Sequence, residues 1–448
     1  MKTGDKTLDF RKFVFFIVCL LVGVTPLFRG SVHQWAQSLI QVLVLTGLLF
    51  IRLDRIRARE GVASTSNSSK RNTGIGQDQK DSIMPTKTLF RFVILPCMVL
   101  GTWATVGSRH HLLAMEGLIM LFTYLALFYL TVESVRTRQQ QRILVGVIVA
   151  TALLLSIIGI LKRFDVMIFP WWDYTPELGK KHGALSVSGV YGNRNHMAGF
   201  LEMAIPMLSG MFLTRSRPVE QRLAMIALLL FLVFTQILTL SRGGWAATTG
   251  ALAFMTVVLL FKKNFYHKPL LVSIVVGALV VVGIILTSTS VVDRLITLTQ
   301  QDATDNLTGR LIYWDSTWNL IKDNLLTGTG PGTFTRVFPA YVGPGLSTLP
   351  MFAHNDYLQF AAETGVLFFP LMLWLLFLFF RMGFKKIKSR SRQTMGISLG
   401  GMAAVVAILI HSFSDFNLHV PANVVLFSVI LGVIVGGWRE PQSKDRSM

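Results

Sequence analysis

The sequence predicts an all-α polytopic membrane protein with about twelve transmembrane helices. Three observations carry this. Of the 448 residues, 52% are hydrophobic and only 15% are charged, against about 25% charged in an ordinary soluble domain. Mean hydropathy is +0.54. Apolar runs of about 17–22 residues recur along the chain, the length a helix needs to cross roughly 30 Å of hydrocarbon.

Taken in order, the N-terminus is basic and then apolar, like a signal peptide. No small-residue cleavage site follows and a second apolar run comes soon after, so the first run is expected to be a retained helix. Residues 1–59 then hold two spans, at about 13–28 and 35–52. Residues 60–87 are rich in Ser, Asn, Gly and charge, with little to bury, and read as a flexible cytoplasmic linker. Residues 88–287 hold helices three to nine, at about 88–107, 112–132, 143–161, 197–213, 222–240, 244–261 and 269–287, with a loop at about 162–196. Residues 288–364 form a large loop domain: "GRLIYWDSTWNLIKDN" (309–324) has helical periodicity and "GTGPGTF" (328–334) has turn residues. Residues 365–437 hold the last three helices, at about 365–381, 395–412 and 421–437, and 438–448 are a cytoplasmic tail. No internal repeat is present.

A net charge of +20 invites a nucleic-acid reading. The distribution of the basic residues argues against it. With the N-terminus in the cytoplasm, most Lys and Arg fall on inner segments, the positive-inside bias. Clusters such as "RMGFKKIKSRSR" (381–392) suit anionic head groups of membrane lipids. Nucleic acid is therefore not an expected partner. Cys19 and Cys97 both lie in apolar runs and make poor candidates for a disulfide or a zinc site.

The chemistry is sought on the outer side, where every histidine except His267 falls. Charge near a membrane interior is costly, so outer arginines at span boundaries are functional candidates. Arg242, in "TLSRGGW", ends a strongly apolar run and precedes two glycines. It reads either as a snorkelling interfacial arginine or as a clamp whose planar fork takes phosphate bidentately. Arg194, in "YGNRNHMAGF", stands with Asn195 where a helix starts, so backbone N–H groups would help it hold an anion; a solvated loop arginine is the plain alternative. Arg310 opens an amphipathic helix, and surface charge competes evenly with function there.

His354 begins "HNDYLQFAAETG" and shares a helical face with residues 357, 358, 361 and 362. Asp356 then points elsewhere. A hydrogen-bonded structural histidine is the plain reading; a base near neutral pH is the sharper one. "DATD" (302–305) is read as a solvated loop rather than a metal site, and the chain has no P-loop and no nucleophile elbow. A transferase on the outer side has no nucleotide supply. It would need a donor that arrives activated, and a lipid diphosphate sugar meets that need.

The segments "GNRNHMAGF", "LSRGGW", "GRLIYW", "GTGPGTF" and "AHNDYLQFAAETGVLF" occur in this order between spans. Together they resemble the O-antigen ligase and polymerase family of bacterial inner-membrane glycosyltransferases, over roughly 185–435. The resemblance implies a glycosyltransferase C-like helical fold with a periplasmic active site and cytoplasmic termini. It implies a polyprenyl diphosphate-linked glycan as donor, no metal and no cofactor, and inversion at the anomeric carbon. The acceptor would be lipid A core in a ligase, or a second lipid-linked glycan in a polymerase. His354, with Asn355 beside it, matches the residue that serves as base in the family; Arg242 and Arg194 match the arginines that would hold the diphosphate, Asn195 and Asn355 join them as expected substrate-binding residues, and Arg310 matches a long-loop arginine.

A transporter or flippase of lipid-linked sugars is the alternative from another class, and a non-enzymatic membrane scaffold a third. The transporter reading expects midplane charges and broken helices, and among the spans only Glu116 and Glu202 stand out. The metal-free expectation predicts that glycan transfer persists in EDTA. Loss of transfer in EDTA, restored by a divalent ion, would contradict it.

Overall fold

A computed structural model describes residues 9–64, 86–164, 166, 186–214, 218–262, 307–342 and 350–437. Most of the 60–87 linker, most of the 162–196 loop, the 269–287 span, the "DATD" stretch and the 438–448 tail lie outside the described residues. Among those described, every regular element is a helix. Ten helical stretches, among them Phe10–Leu27 and Lys87–Val106, are long and apolar enough to cross a membrane, and the chain is a polytopic all-α membrane protein.

The helices follow the apolar runs because each run satisfies its own backbone hydrogen bonds only as a helix, and lipid offers no other partner. They are α1 (Phe10–Val24), α2 (Gln34–Ser64), α3 (Leu95–Val106), α4 (His111–Ser134) and α5 (Arg138–Arg163). The series continues with α6 (Arg194–Thr214), α7 (Val219–Leu238) and α8 (Arg242–Leu260). After the undescribed segment come α9 (Leu307–Asp323), α10 (Asp356–Thr364), α11 (Phe368–Ile387), α12 (Arg392–His411) and α13 (Pro421–Val435). The last is a shorter apolar helix, because a polar 3₁₀ turn at Asn417–His419 precedes it.

The expected span at 365–381 instead starts at Phe368 and runs on to Ile387. Its continuation through "RMGFKKI" is explained by Lys386. That side chain is buried and donates from Nζ to the carbonyl oxygens of Ile434, at 2.5 Å, and of Gly436. The ammonium thus caps the C-terminal end of α13, where the helix dipole is negative.

Helices α6 and α12 are the centre of the bundle: 89% of the α6 span and 83% of the α12 span are buried, against 17% for α7 and 11% for α11. Small residues let these two helices approach. A methyl group added at Gly210 would lie 2.2 Å from the carbonyl oxygen of Gly396, and one at Gly400 would lie 2.6 Å from that of Pro206. Close backbone approach between apolar helices is how membrane helices gain packing when lipid is as apolar as they are.

One end of the bundle is basic and ion-paired. Glu133 there is bonded to Arg136 at 2.6 Å and faces Arg55 at 3.4 Å, and Arg11 holds Asp54 at 2.6 Å. The other end gathers the links between α1 and α2, α3 and α4, α7 and α8, and α12 and α13, together with the described residues that precede α6 and those from α9 to α10. The region from α9 to α10 has a small core of its own, from Tyr313, Leu320, Ile321, Phe334, Phe338, Ala353, Ala361 and Ala362. It is fastened to the bundle by Ser108, which donates to Thr329 O at 2.6 Å, and is tied together internally by Thr329 N and Gly330 N, which donate to Ala362 O and Glu363 O of α10 at 2.9 Å.

Replacing Gly210 with Ala should lower the thermal midpoint of the purified protein, by about 1–3 kcal/mol of overpacking cost. Thermal unfolding in detergent measures it; an unchanged midpoint would mean that α6 and α12 separate readily.

Candidate functional site

The site is built around the turn from Ser412 to Val420, which joins α12 to α13. Its hub is Phe416. That ring stacks on Phe352 at 4.1 Å and meets the edges of His354 at 5.0 Å and His196 at 4.7 Å. Three segments remote in sequence therefore converge on one aromatic side chain: the start of α6, the approach to α10, and the turn itself.

His354 does not lie on a helix. Helix α10 starts at Asp356, with Asn355 as its N-cap, so the helical face expected to include His354 begins after it. The reason is capping: the Asn355 side-chain oxygen accepts from Leu358 N at 3.1 Å, which requires an extended backbone at Asn355. His354 precedes the cap in a left-handed conformation, with φ 49°. This is an uncommon geometry for a residue with a side chain, and it persists only where surroundings enforce it. Its Nδ1 stands 3.4 Å from Oδ1 of Asp415, and its side chain keeps 27% of its surface while Asp415 keeps 1%. Burial alone would push the Asp415 carboxyl up. The imidazole of His354 beside it, with those of His196 and His411, pulls the other way and wins, holding it well below the usual carboxylate range.

Asp356 points away from His354, as the spacing predicts, and clasps the turn. It is 1% exposed. One oxygen accepts from Ser412 Oγ at 2.8 Å and Leu418 N at 3.1 Å, and the other faces His419 Nδ1 at 2.6 Å. Its own N–H donates to Ser412 O at 2.9 Å. Asn355 Nδ2 adds a bond to Phe413 O at 3.2 Å, and Tyr357 Oη one to Leu409 O at 2.6 Å. Both ends of the Asn355 amide are therefore occupied in positioning the His354 backbone.

Two of the arginines open helices whose first residues pack at this turn. Arg242 is the first residue of α8, exposed, after an N-cap in which Ser241 accepts from Gly244 N at 3.2 Å. Next to it, Gly243 packs so closely that an added methyl group would lie 2.6 Å from His411 Cδ2 and from Ser414 Oγ. This end of α8 thus abuts the residues just before Asp415. Arg194 opens α6, half-buried, two residues before the His196 that touches Phe416. Asn193 Oδ1 caps that start by accepting from Asn195 N at 2.8 Å, and Asn195 is half-buried there. Arg310 is more remote. It lies one turn before Trp314, whose Nε1 donates to Ala353 O at 3.1 Å, next to His354. Among the described residues no three His, Cys, Asp or Glu side chains are grouped to hold a metal ion.

Asp415 and Phe416 were not among the residues singled out from sequence. The signal available was the polar stretch "HSFSDFNLH" (411–419) between two apolar helices, of which only the histidines draw notice. Below it, His411 Nδ1 meets Glu202 Oε2 at 2.8 Å, both fully buried. Glu202 is thus one half of a buried pair joining α6 to α12.

The family model described as O-Antigen ligase matches residues 226–373. Over that stretch, about a third of the chain, the sequence is similar to the O-antigen ligase family. The O-antigen ligase match runs from within α7 into α11 and takes in Arg242, Arg310, His354 and Asn355. Arg194 and the 412–420 turn lie outside it. No curated protein matches the chain.

The clasp predicts a pH dependence. Burial would lower the His419 pKa, but the contact with Asp356 and its charge, then Glu363, raise it above the ordinary value. A raised folded pKa contributes stability fully below the unfolded value of about 6.5 and loses it as pH rises through the folded value. The thermal midpoint should therefore fall as pH climbs from about 6 past that range, and Asp356→Asn should flatten the dependence. Equal slopes in the two proteins would contradict the pairing.

Proposed function

We propose that the chain is a glycosyltransferase of the O-antigen ligase kind, moving a glycan from a polyprenyl diphosphate carrier to an acceptor hydroxyl. The acceptor proposed is lipid A core. The observation that carries this reading is the pairing of His354 with a buried carboxylate at the turn against which the Arg242 end of α8 is packed.

In the proposed reaction Asp415 faces Nδ1 of His354 and orients the ring. The other nitrogen, Nε2, takes the proton from the acceptor hydroxyl. The acceptor oxygen attacks the anomeric carbon as the bond from that carbon to the diphosphate oxygen breaks. Attack from the face opposite the leaving group inverts the configuration. The electron pair leaves on the diphosphate, whose charge is met by the guanidiniums of Arg242 and Arg194 and by the N-terminal ends of α8 and α6. Arg310 would bear on the substrate from the side of Ala353. No metal takes part in this scheme.

The orientation proposed puts this end of the bundle in the periplasm. Basic side chains dominate the opposite end, as the positive-inside rule requires of a cytoplasmic face. The membrane is then the bacterial inner membrane, where lipid-linked donors are presented on the periplasmic leaflet.

The decisive experiment offers purified full-length protein a defined lipid-linked donor with two competing acceptors, core lipid and a second donor molecule. Transfer to core lipid supports the ligase; chain extension of the donor would instead make the protein a polymerase. His354→Ala should cut transfer by about 10²–10⁴-fold and Arg242→Ala by about 10²–10³-fold, with expression unchanged. Full activity in either variant would remove that residue from the mechanism.

A further inference from the structure

Arg29 belongs to a part of the chain that the family match does not reach, the link between α1 and α2. Three consecutive residues there are left-handed: Arg29 with φ 54°, Gly30 with φ 68° and Ser31 with φ 59°. Side-chain-bearing residues adopt that conformation rarely. The turn is held by buried bonds, with Ser31 Oγ donating to Thr25 O and Ser31 N to Phe28 O, both at 2.8 Å. It is wedged between the two segments that frame the site. A methyl group at Gly30 would lie 2.8 Å from the Tyr191 ring and 3.2 Å from Val420 Cγ1.

This placement lays Arg29 over the start of α6. A methyl group at Gly192 would lie 3.3 Å from Arg29 Nε and 3.7 Å from Nη2, so the guanidinium rests on the residue two before Arg194. Gly192 leaves that room and is itself left-handed, with φ 71°. Among the described residues Arg29 meets no carboxylate and no hydrogen-bond acceptor, and it stays partly open. In the first turn of α6, His196 is buried, with 7% exposure, and its Nε2 has no hydrogen-bond partner. A strained, pinned turn that delivers an unneutralised cation to the residues that open α6 makes electrostatic sense when an anion binds there.

We propose that Arg29 is a third guanidinium of the anion site and binds the diphosphate of the lipid-linked donor together with Arg194. The inference rests on the transferase reading above and extends the donor site beyond the matched domain. Phosphates of the acceptor or of membrane lipids share this chemistry, so the test separates the sources.

Binding of polyprenyl diphosphate, the product carrier, is measured to the full-length protein in nanodiscs of neutral phosphatidylcholine. Arg29→Gly removes the cation and eases the left-handed backbone, so its thermal midpoint should hold while affinity falls by on the order of tenfold to a hundredfold. Arg29→Lys, which keeps a point charge without the fork, should lose less. The donor KM should rise in both and the acceptor KM stay constant. Unchanged affinity in Arg29→Gly would overturn the proposal. So would a defect confined to the acceptor KM, or one seen only when anionic lipid is added. Should wild-type protein itself fail to bind polyprenyl diphosphate, the transferase reading falls with it, which distinguishes the two failures.

Discussion

A carboxylate removed from water must be surrounded by donors, and Asp356 obeys that constraint at the point where the helical bundle meets the 307–364 region. Its donors come from Ser412, Leu418 and His419, all on one turn. Nothing local supplies them, so the chain before α10 is drawn down onto the link between α12 and α13. That single requirement fixes where His354 stands. With the turn held, Asp415 faces His354 and Phe416 fills the gap between His354 and His196.

The turn in turn depends on the two central helices. Helix α12 delivers it, and α12 is clamped against α6 by glycine contacts and by the buried His411–Glu202 pair. The same helix α6 brings Arg194 and His196 at its other end of the contact, near Phe416. Helix α8 completes the arrangement because Gly243 lets its N-terminal end press against His411 and Ser414. The starts of α6 and α8 are thereby packed around the turn that carries Asp415. In a low-dielectric setting such groups interact more strongly than they would in water. The proposed mechanism asks this arrangement to meet a diphosphate leaving group and a proton acceptor.

Much of the fold was legible because bilayer thickness writes itself into the sequence. The expected span at 143–161 lies inside Arg138–Arg163, and that at 244–261 inside or at the edge of Arg242–Leu260. Helix ends were less legible where side chains decide them. The α10 start depends on the Asn355 cap, which displaced His354 from the helix it was expected to join. The extension of α11 depends on a lysine reaching carbonyls 48 and 50 residues away. Part of the candidate site was legible. Arg194, Arg242 and His354 announce themselves by charge at span boundaries. Asp415 does not, since its meaning comes from a partner 61 positions earlier, and no local period encodes such a pairing. Arg29 was hidden for the same reason: its neighbour at Gly192 is set by tertiary packing alone.

The central claim is that Asp415 and His354 act as one unit. Single-turnover transfer from a defined lipid-linked donor tests it in His354→Ala, Asp415→Asn and the double variant. Residues of one unit lose activity non-additively, so the double variant should be no slower than His354→Ala alone, with Asp415→Asn already strongly impaired. Near-normal transfer in Asp415→Asn, or losses that multiply in the double variant, would contradict the account.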